Sequence, residues 1–133
     1  MAEKMRAAVY CRLARADDDR IAEQKEQVLA FAMKQGCGEI AVFIDNGESG
    51  SSLSRPAMNR LNADIEAGKI DAVYVHSLCR IGRNYIEVDK WLNKMQSKGI
   101  IVKSVDGTIG GDTDIFIFDT YLKSLLQQKK GGK

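Results

Sequence analysis

The chain has 133 residues, 44% hydrophobic and 29% charged, with a formal net charge of +2; that length supports one core and not two. The near balance of charge excludes the strong basic excess of a self-sufficient DNA-binding module. No apolar run has the length of a bilayer span or the form of a secretory leader, and three cysteines without CxxC spacing beside one histidine exclude the usual zinc arrangements, so the expectation is a cytoplasmic protein with reduced thiols, no metal, no cofactor and no membrane partner.

In chain order, the first β-type run is Arg6 to Cys11, short and buried in character. Asp17, Asp18 and Asp19 follow; their carboxylates suit a helix cap and the positive end of the helix dipole. The helix they open carries Ile21, Val28, Leu29 and Ala32 and stops at Gly36. A second strand is expected from Ile40 to Ile44. Pro56, a favoured first-turn residue, opens a helix with Met58, Leu61 and Ile65 on one face, ending at Gly68. A third strand runs from Ile70 to His76. A third helix, from about Asn84 to Lys98, turns Val88, Trp91, Leu92 and Met95 inward, and a fourth strand spans Ile100 to Val105. β-branched runs this short read as strands buried on both faces. Strand and helix in strict alternation predict an α/β fold: a three-layer, largely parallel open sheet of four to five strands with helices on both faces.

The last stretch, "DTDIFIFDTYLKSLLQQKK", places Ile115, Phe118, Leu122 and Leu125 at helical spacing, with Ile117 and Tyr121 in a second stripe beside them. One stripe can pack on the parent domain. Two adjacent stripes ask for wider cover, from its own domain or from another subunit. The expected organisation is a core over 1–113, the start of a long interface helix over 114–128 and a flexible basic tail over 129–133.

Ligands of open parallel sheets lie beyond the carboxyl ends of the strands, here Arg12 to Arg15, Asp45 to Arg55, Ser77 to Arg83 and Asp106 to Thr113. Alternate residues of a strand share a face, so Tyr10, Arg12 and Ala14 point the same way if the strand persists that far. Arg80 and Arg83 are three apart and lie on one side of any helical turn, and Arg55 closes the loop "GESGSSLSRP". Four arginines thus converge on one edge from three segments. A guanidinium stays protonated and grips phosphate oxygens with a planar fork, which suits the charge of a pentacovalent phosphoryl transition state. Spacing alone identifies neither the anion nor the reaction. A receiver domain would need an aspartate where the third strand ends in His76 and Ser77. A magnesium-dependent nuclease could use Asp17, Asp18 and Asp19 with Asp45, although capping is the commoner use of such aspartates.

"YCRLAR", "FIDNGESGSSLSRPAMNRL" and "DAVYVHSLCRIGRN" resemble, in order and spacing from about Arg6 to Val105, the catalytic domain of the serine recombinases, the resolvase, invertase and large serine integrase or transposase family. The family's first strand ends Tyr-x-Arg-Val-Ser, whose serine attacks a DNA phosphodiester. Tyr10 and Arg12 match; Ala14 stands at the nucleophile. Arg12, Arg55, Arg80 and Arg83 fall on positions that clamp the scissile phosphate, Gln24 on a supporting glutamine and Asp45 on a carboxylate ending the second strand. The resemblance implies a site-specific recombinase, bacterial or phage-encoded, that works by metal-free transesterification through a 5′-phosphoserine. It implies DNA as partner, self-association as dimer and tetramer, and a separate DNA-binding region absent from this sequence. A methyl group cannot serve as nucleophile, so this chain is expected to be a cleavage-inactive form in which serine has been replaced. The alternative is a non-catalytic, DNA-associated regulatory or dimerisation module. Cys79 replaces the aspartate that many relatives carry before the first arginine of the pair, which puts that auxiliary role in doubt.

Overall fold

The computed structural model describes residues 5–109. The segments expected over 114–128 and 129–133 lie outside the described residues. In order come β1 (Arg6–Leu13), α1 (Asp18–Lys34), β2 (Glu39–Asn46), α2 (Pro56–Glu66), β3 (Ala72–Val75), α3 (Leu78–Ile81), α4 (Tyr85–Ser97) and β4 (Ile101–Ser104). The four strands form one parallel sheet in the order β2-β1-β3-β4, the α/β architecture that the alternation predicts.

Strand alternation separates two cores. Ala7, Val9, Cys11 and Leu13 of β1, with Ala72 and Tyr74 of β3, pack against Ile21, Val28 and Ala32 of α1. Ala8, Tyr10, Val73 and Val75 point the other way, onto Met58, Leu61 and Ile65 of α2 and Val88, Trp91, Leu92 and Met95 of α4. Helices therefore cover both faces, with the inward residues of α2 and α4 those read from the sequence.

Burial on both faces holds for β1 and β3 but not for the outer strands. In β2, Ala41 is exposed and Val42 is 40% exposed, and Ile101, Val102 and Lys103 of β4 are half-buried. The cause is position: an outer strand has a neighbour on one side only, and α1 lies chiefly over β1 and β3.

Capping fixes the helix starts. The Asp17 side chain accepts from the Arg20 backbone N–H at 3.0 Å, as the acidic run suggested. The Arg55 side chain makes no cap bond at α2. Instead Asp45, projecting from the end of β2, accepts from the N–H of Ala57 at 2.8 Å and of Met58 at 3.0 Å. A buried carboxylate at a helix N-terminus satisfies orphan donors and complements the dipole.

The chain leaves β1 to one side to make β2, then crosses to the other side to make β3. The reversal puts a crevice between the carboxyl ends of β1 and β3, the usual ligand position in such sheets. Arg12 lies near the end of β1, and Arg80 follows β3.

Candidate functional site

β1 ends at Leu13, and its carbonyl accepts from the backbone N–H groups of Gly47 and Glu48 at 2.8 and 2.9 Å. The loop leaving β2 is thereby hung on the tip of β1. Gly47 has φ +94, a conformation that side-chain-bearing residues rarely adopt.

Arg12 is 1% exposed. Its Nε donates to the Arg80 carbonyl at 3.1 Å, Nη1 to the Glu48 carbonyl at 2.9 Å and Nη2 to the Cys79 carbonyl at 2.7 Å. A buried charge is tolerable only where such bonds replace water. Gln24, reaching in from α1, clasps the same residue's backbone: its Oε1 accepts from the Arg12 N–H at 3.0 Å, and its Nε2 donates to the Arg12 carbonyl at 3.2 Å. Burial, reinforced by the positive charges of Arg55 and Arg80, lowers the Arg12 pKa from its ordinary value.

Arg55, 2% exposed, closes a second buried chain. Asp45 Oδ2 accepts from the Tyr10 hydroxyl at 2.7 Å, the Tyr10 oxygen accepts from Arg55 Nη1 at 2.9 Å, and Arg55 Nε donates to the Ser49 carbonyl at 2.9 Å. Burial, then the bond to Asp45, raise the Tyr10 pKa, which keeps its hydroxyl protonated as a donor. Burial pushes the Cys11 thiol, on the opposite face, up to about 12.

The four predicted arginines are linked, Arg12 and Arg55 through their guanidinium groups and Arg80 and Arg83 through main-chain atoms. Arg83 is exposed, and its backbone N–H donates to the Gly50 carbonyl at 2.7 Å. A Cβ on Gly50 would stand 2.9 Å from Arg12 Nη2 and 3.0 Å from Arg83 Cγ; one on Gly82 would stand 3.1 Å from Arg55 Nη2. Buried Arg55 Nη2 and Arg80 Nε have no hydrogen-bond partner among the described residues.

Two sequence expectations change. The strand stops before Ala14, which lies exposed on the bend beyond it, so Ala14 does not continue the strand face of Tyr10 and Arg12. Arg80 and Arg83 do not share a helical turn either: α3 ends at Ile81, and Gly82, with φ 173 and ψ 172, restores extended backbone before Arg83. Cys79 holds Arg12 through its carbonyl, while its Sγ lies 3.2 Å from Ser77 Oγ. The sequence places Tyr10 in the motif and on the strand face of Arg12 without a role for its hydroxyl, which links Asp45 and Arg55. The peptide carbonyls of 48–50 carry no side-chain signature, so only the glycines of "GESG" hinted at a close backbone approach.

A hollow of about 150 Å³ adjoins the cluster on the α1 side, lined by Leu13, Arg20, Glu23, Gln24, Gln27, His76 and Arg80. Of the four arginines, Arg80 borders it.

The comparisons with known proteins give the family of this parallel α/β sheet, which gathers arginines at its switch point. Residues 7–126 match the pattern described as the resolvase N-terminal domain, so the chain belongs to that family, as its motifs indicated. The N-terminal catalytic domain of TP901-1 integrase superposes with a TM-score of 0.77 at 25% identity, over 95% of this chain and 97% of that one. A resolvase family site-specific recombinase from Streptococcus pneumoniae superposes with a TM-score of 0.75 at 26% identity, over 96% and 90%. A candidate DNA recombinase of Bacillus subtilis (strain 168) is 35% identical over 71 residues, which are 51% of this chain and 14% of that protein; the chain thus matches a small part of that relative's length. Among the described residues no helix is long and apolar enough to cross a membrane.

Proposed function

We propose that this chain is the catalytic domain of a site-specific serine recombinase in a form that holds DNA without cutting it. The observation that carries the reading is the meeting of Arg12, Arg55 and Arg83 on one loop at the switch point, with Arg80 bonded to Arg12 through its carbonyl and with Arg55 Nη2 and Arg80 Nε lacking acceptors among the described residues. A scissile phosphodiester presents anionic oxygens to such donors, and the cluster stabilises the charge that builds as phosphorus becomes five-coordinate.

In the serine form, the hydroxyl oxygen at position 14 attacks phosphorus and gives up its proton. The deoxyribose 3′ oxygen leaves and takes up a proton. The DNA 5′ end is left esterified to the serine, and the reverse attack by a 3′ hydroxyl rejoins the strand. One phosphate ester replaces another, so the energy is conserved and no nucleotide is consumed. Ala14 has no oxygen to contribute. Arg12, Arg55, Arg80 and Arg83 are assigned to the phosphate, Gln24 to holding the Arg12 backbone, and residues 1–113 to the catalytic core. DNA and further copies of the chain are assigned as its partners.

The test is Ala14→Ser in the full-length protein on supercoiled plasmid bearing a recognised site. A denaturant-stable protein–DNA adduct with the serine form, and none with Ala14, supports the reading. Plasmid binding without adduct in the serine form would sink it and favour the regulatory module.

A further inference from the structure

Three successive peptide carbonyls of the loop after β2 are taken by three arginines. Arg12 Nη1 donates to Glu48, Arg55 Nε to Ser49 and the Arg83 backbone N–H to Gly50. Two of these bonds spend guanidinium donors on neutral oxygens, at the point where the proposed function needs them for an anionic one. We propose that residues 47–50 are a displaceable strap: their carbonyls hold the arginines in the folded chain, and a phosphodiester oxygen takes their place as the strap lifts. The inference rests on the anion-site reading and adds a conformational step to it.

Three observations make the strap the part that yields. It belongs to no helix or strand. Beyond Glu48, the serine side chains of the loop bond within the loop: Ser49 Oγ lies 2.9 Å from Ser51 Oγ, and Ser52 Oγ accepts from the Ser54 N–H at 3.1 Å. The next outside anchor is the Leu53 N–H, which donates to Glu87 Oε1 at 3.3 Å. The Gly47 and Glu48 N–H bonds to the Leu13 carbonyl form the hinge of the strap; between Glu48 and Leu53 its hydrogen bonds to the rest of the described chain are those to the arginines, and a segment tied down at so few points opens at low cost.

The second observation is energetic. A guanidinium bonds a phosphate oxygen more strongly than a neutral carbonyl, by roughly a factor of two for charge-assisted bonds, so the exchange favours the anion. Third, Arg55 is 2% exposed, yet its Nη2 has no hydrogen-bond partner among the described residues. A buried orphan donor is costly, and a phosphate oxygen seated where the strap lies would supply its acceptor.

Gly50 is the lever. A Cβ there would press to 2.9 Å from Arg12 Nη2 and 3.0 Å from Arg83 Cγ. Arg12 is held by three carbonyls and cannot easily swing aside, so Gly50→Ala loosens the strap. If the lifted state is populated about a tenth to a third of the time, releasing it tightens apparent binding by about three- to tenfold.

The experiment titrates the 133-residue chain with inorganic phosphate and follows backbone amides by NMR. The expected result is that the Gly47, Glu48, Ser49, Gly50 and Arg83 amides shift together, that Arg83 N–H exchange quickens as the Gly50 carbonyl departs, and that Gly50→Ala binds phosphate more tightly. Phosphate that perturbs the arginine side-chain signals while Arg83 exchange stays unchanged overturns the strap, as does a folded Gly50→Ala that binds no more tightly. If Gly50→Ala fails to fold, the wild-type exchange data decide alone. Arg80→Ala separates the two levels: binding lost in Arg80→Ala with a silent strap in wild type removes the strap and leaves the anion site standing. Wild type that binds no phosphate removes both.

Discussion

The two ends of the sheet handle arginine in opposite ways. At the amino end, the Arg6 guanidinium meets the Asp71 carboxylate at 3.1 Å through both Nε and Nη2, on a surface where both side chains are substantially exposed. At the carboxyl end, Arg12 and Arg55 are buried and bond to peptide carbonyls and a phenol. Among the described residues no ion pair involves Arg12, Arg55, Arg80 or Arg83. Neutral acceptors satisfy the hydrogen-bonding demand of a guanidinium without cancelling its charge. At the amino end the Arg6 charge is paired with a carboxylate, whereas at the carboxyl end the Arg12 and Arg55 guanidinium groups bond to neutral acceptors that leave their charge uncancelled. The Asp45 carboxylate, joined to that network through Tyr10, is turned to the α2 N-terminus.

The largest expected difference between the two ends is in stability. Asp45→Ala strands three donors, the Ala57 and Met58 N–H groups and the Tyr10 hydroxyl, and should cost about 2–4 kcal/mol in urea unfolding. Asp71→Ala removes an exposed pair and should cost about 1 kcal/mol or less. Equal losses would break the comparison. Next comes anion binding. Arg80→Ala should weaken phosphate binding about tenfold or more, the worth of one charge-assisted bond, and flatten the salt dependence of DNA binding by a slope of about 1. Arg6→Ala should leave both unchanged. A matching loss in Arg6→Ala would show that overall charge, and not the network, draws the anion.

Periodicity made the fold legible because burial writes itself into apolar spacing: the inward residues Met58, Leu61 and Ile65 of α2 and Val88, Trp91, Leu92 and Met95 of α4 were all readable. It failed at β2, where Ile40, Val42 and Ile44 spell a buried strand but Val42 is 40% exposed. Composition reports what a strand could bury, and topology decides whether a neighbour covers it. At the site, the convergence of the arginines was legible from strand ends. Their burial was not, because the acceptors of Arg12 are main-chain oxygens of Glu48, Cys79 and Arg80, and every residue has one. The end of β1 at Leu13, one residue short of Ala14, was equally hidden, since a bend in "LARAD" leaves no apolar signature.

The smallest effect is a pH dependence confined to the amino end. Side-chain and backbone hydrogen bonds from Arg6 hold the Asp71 carboxyl below its ordinary pKa. A carboxyl depressed in the folded state adds stability that is fully present above its unfolded pKa and is lost as pH falls through the folded value. The stability gap between wild type and Asp71→Asn should therefore be constant near neutrality and close only at acid pH, measured as paired urea midpoints across the range. With both side chains exposed, the gap stays small and shrinks further in high salt. The amide oxygen of Asp71→Asn can still accept from the Arg6 backbone N–H, which Asp71 holds at 2.9 Å, so a gap that persists in acid would mean that charge is not what separates the two proteins, and the contrast between the two ends of the sheet would lose its electrostatic basis.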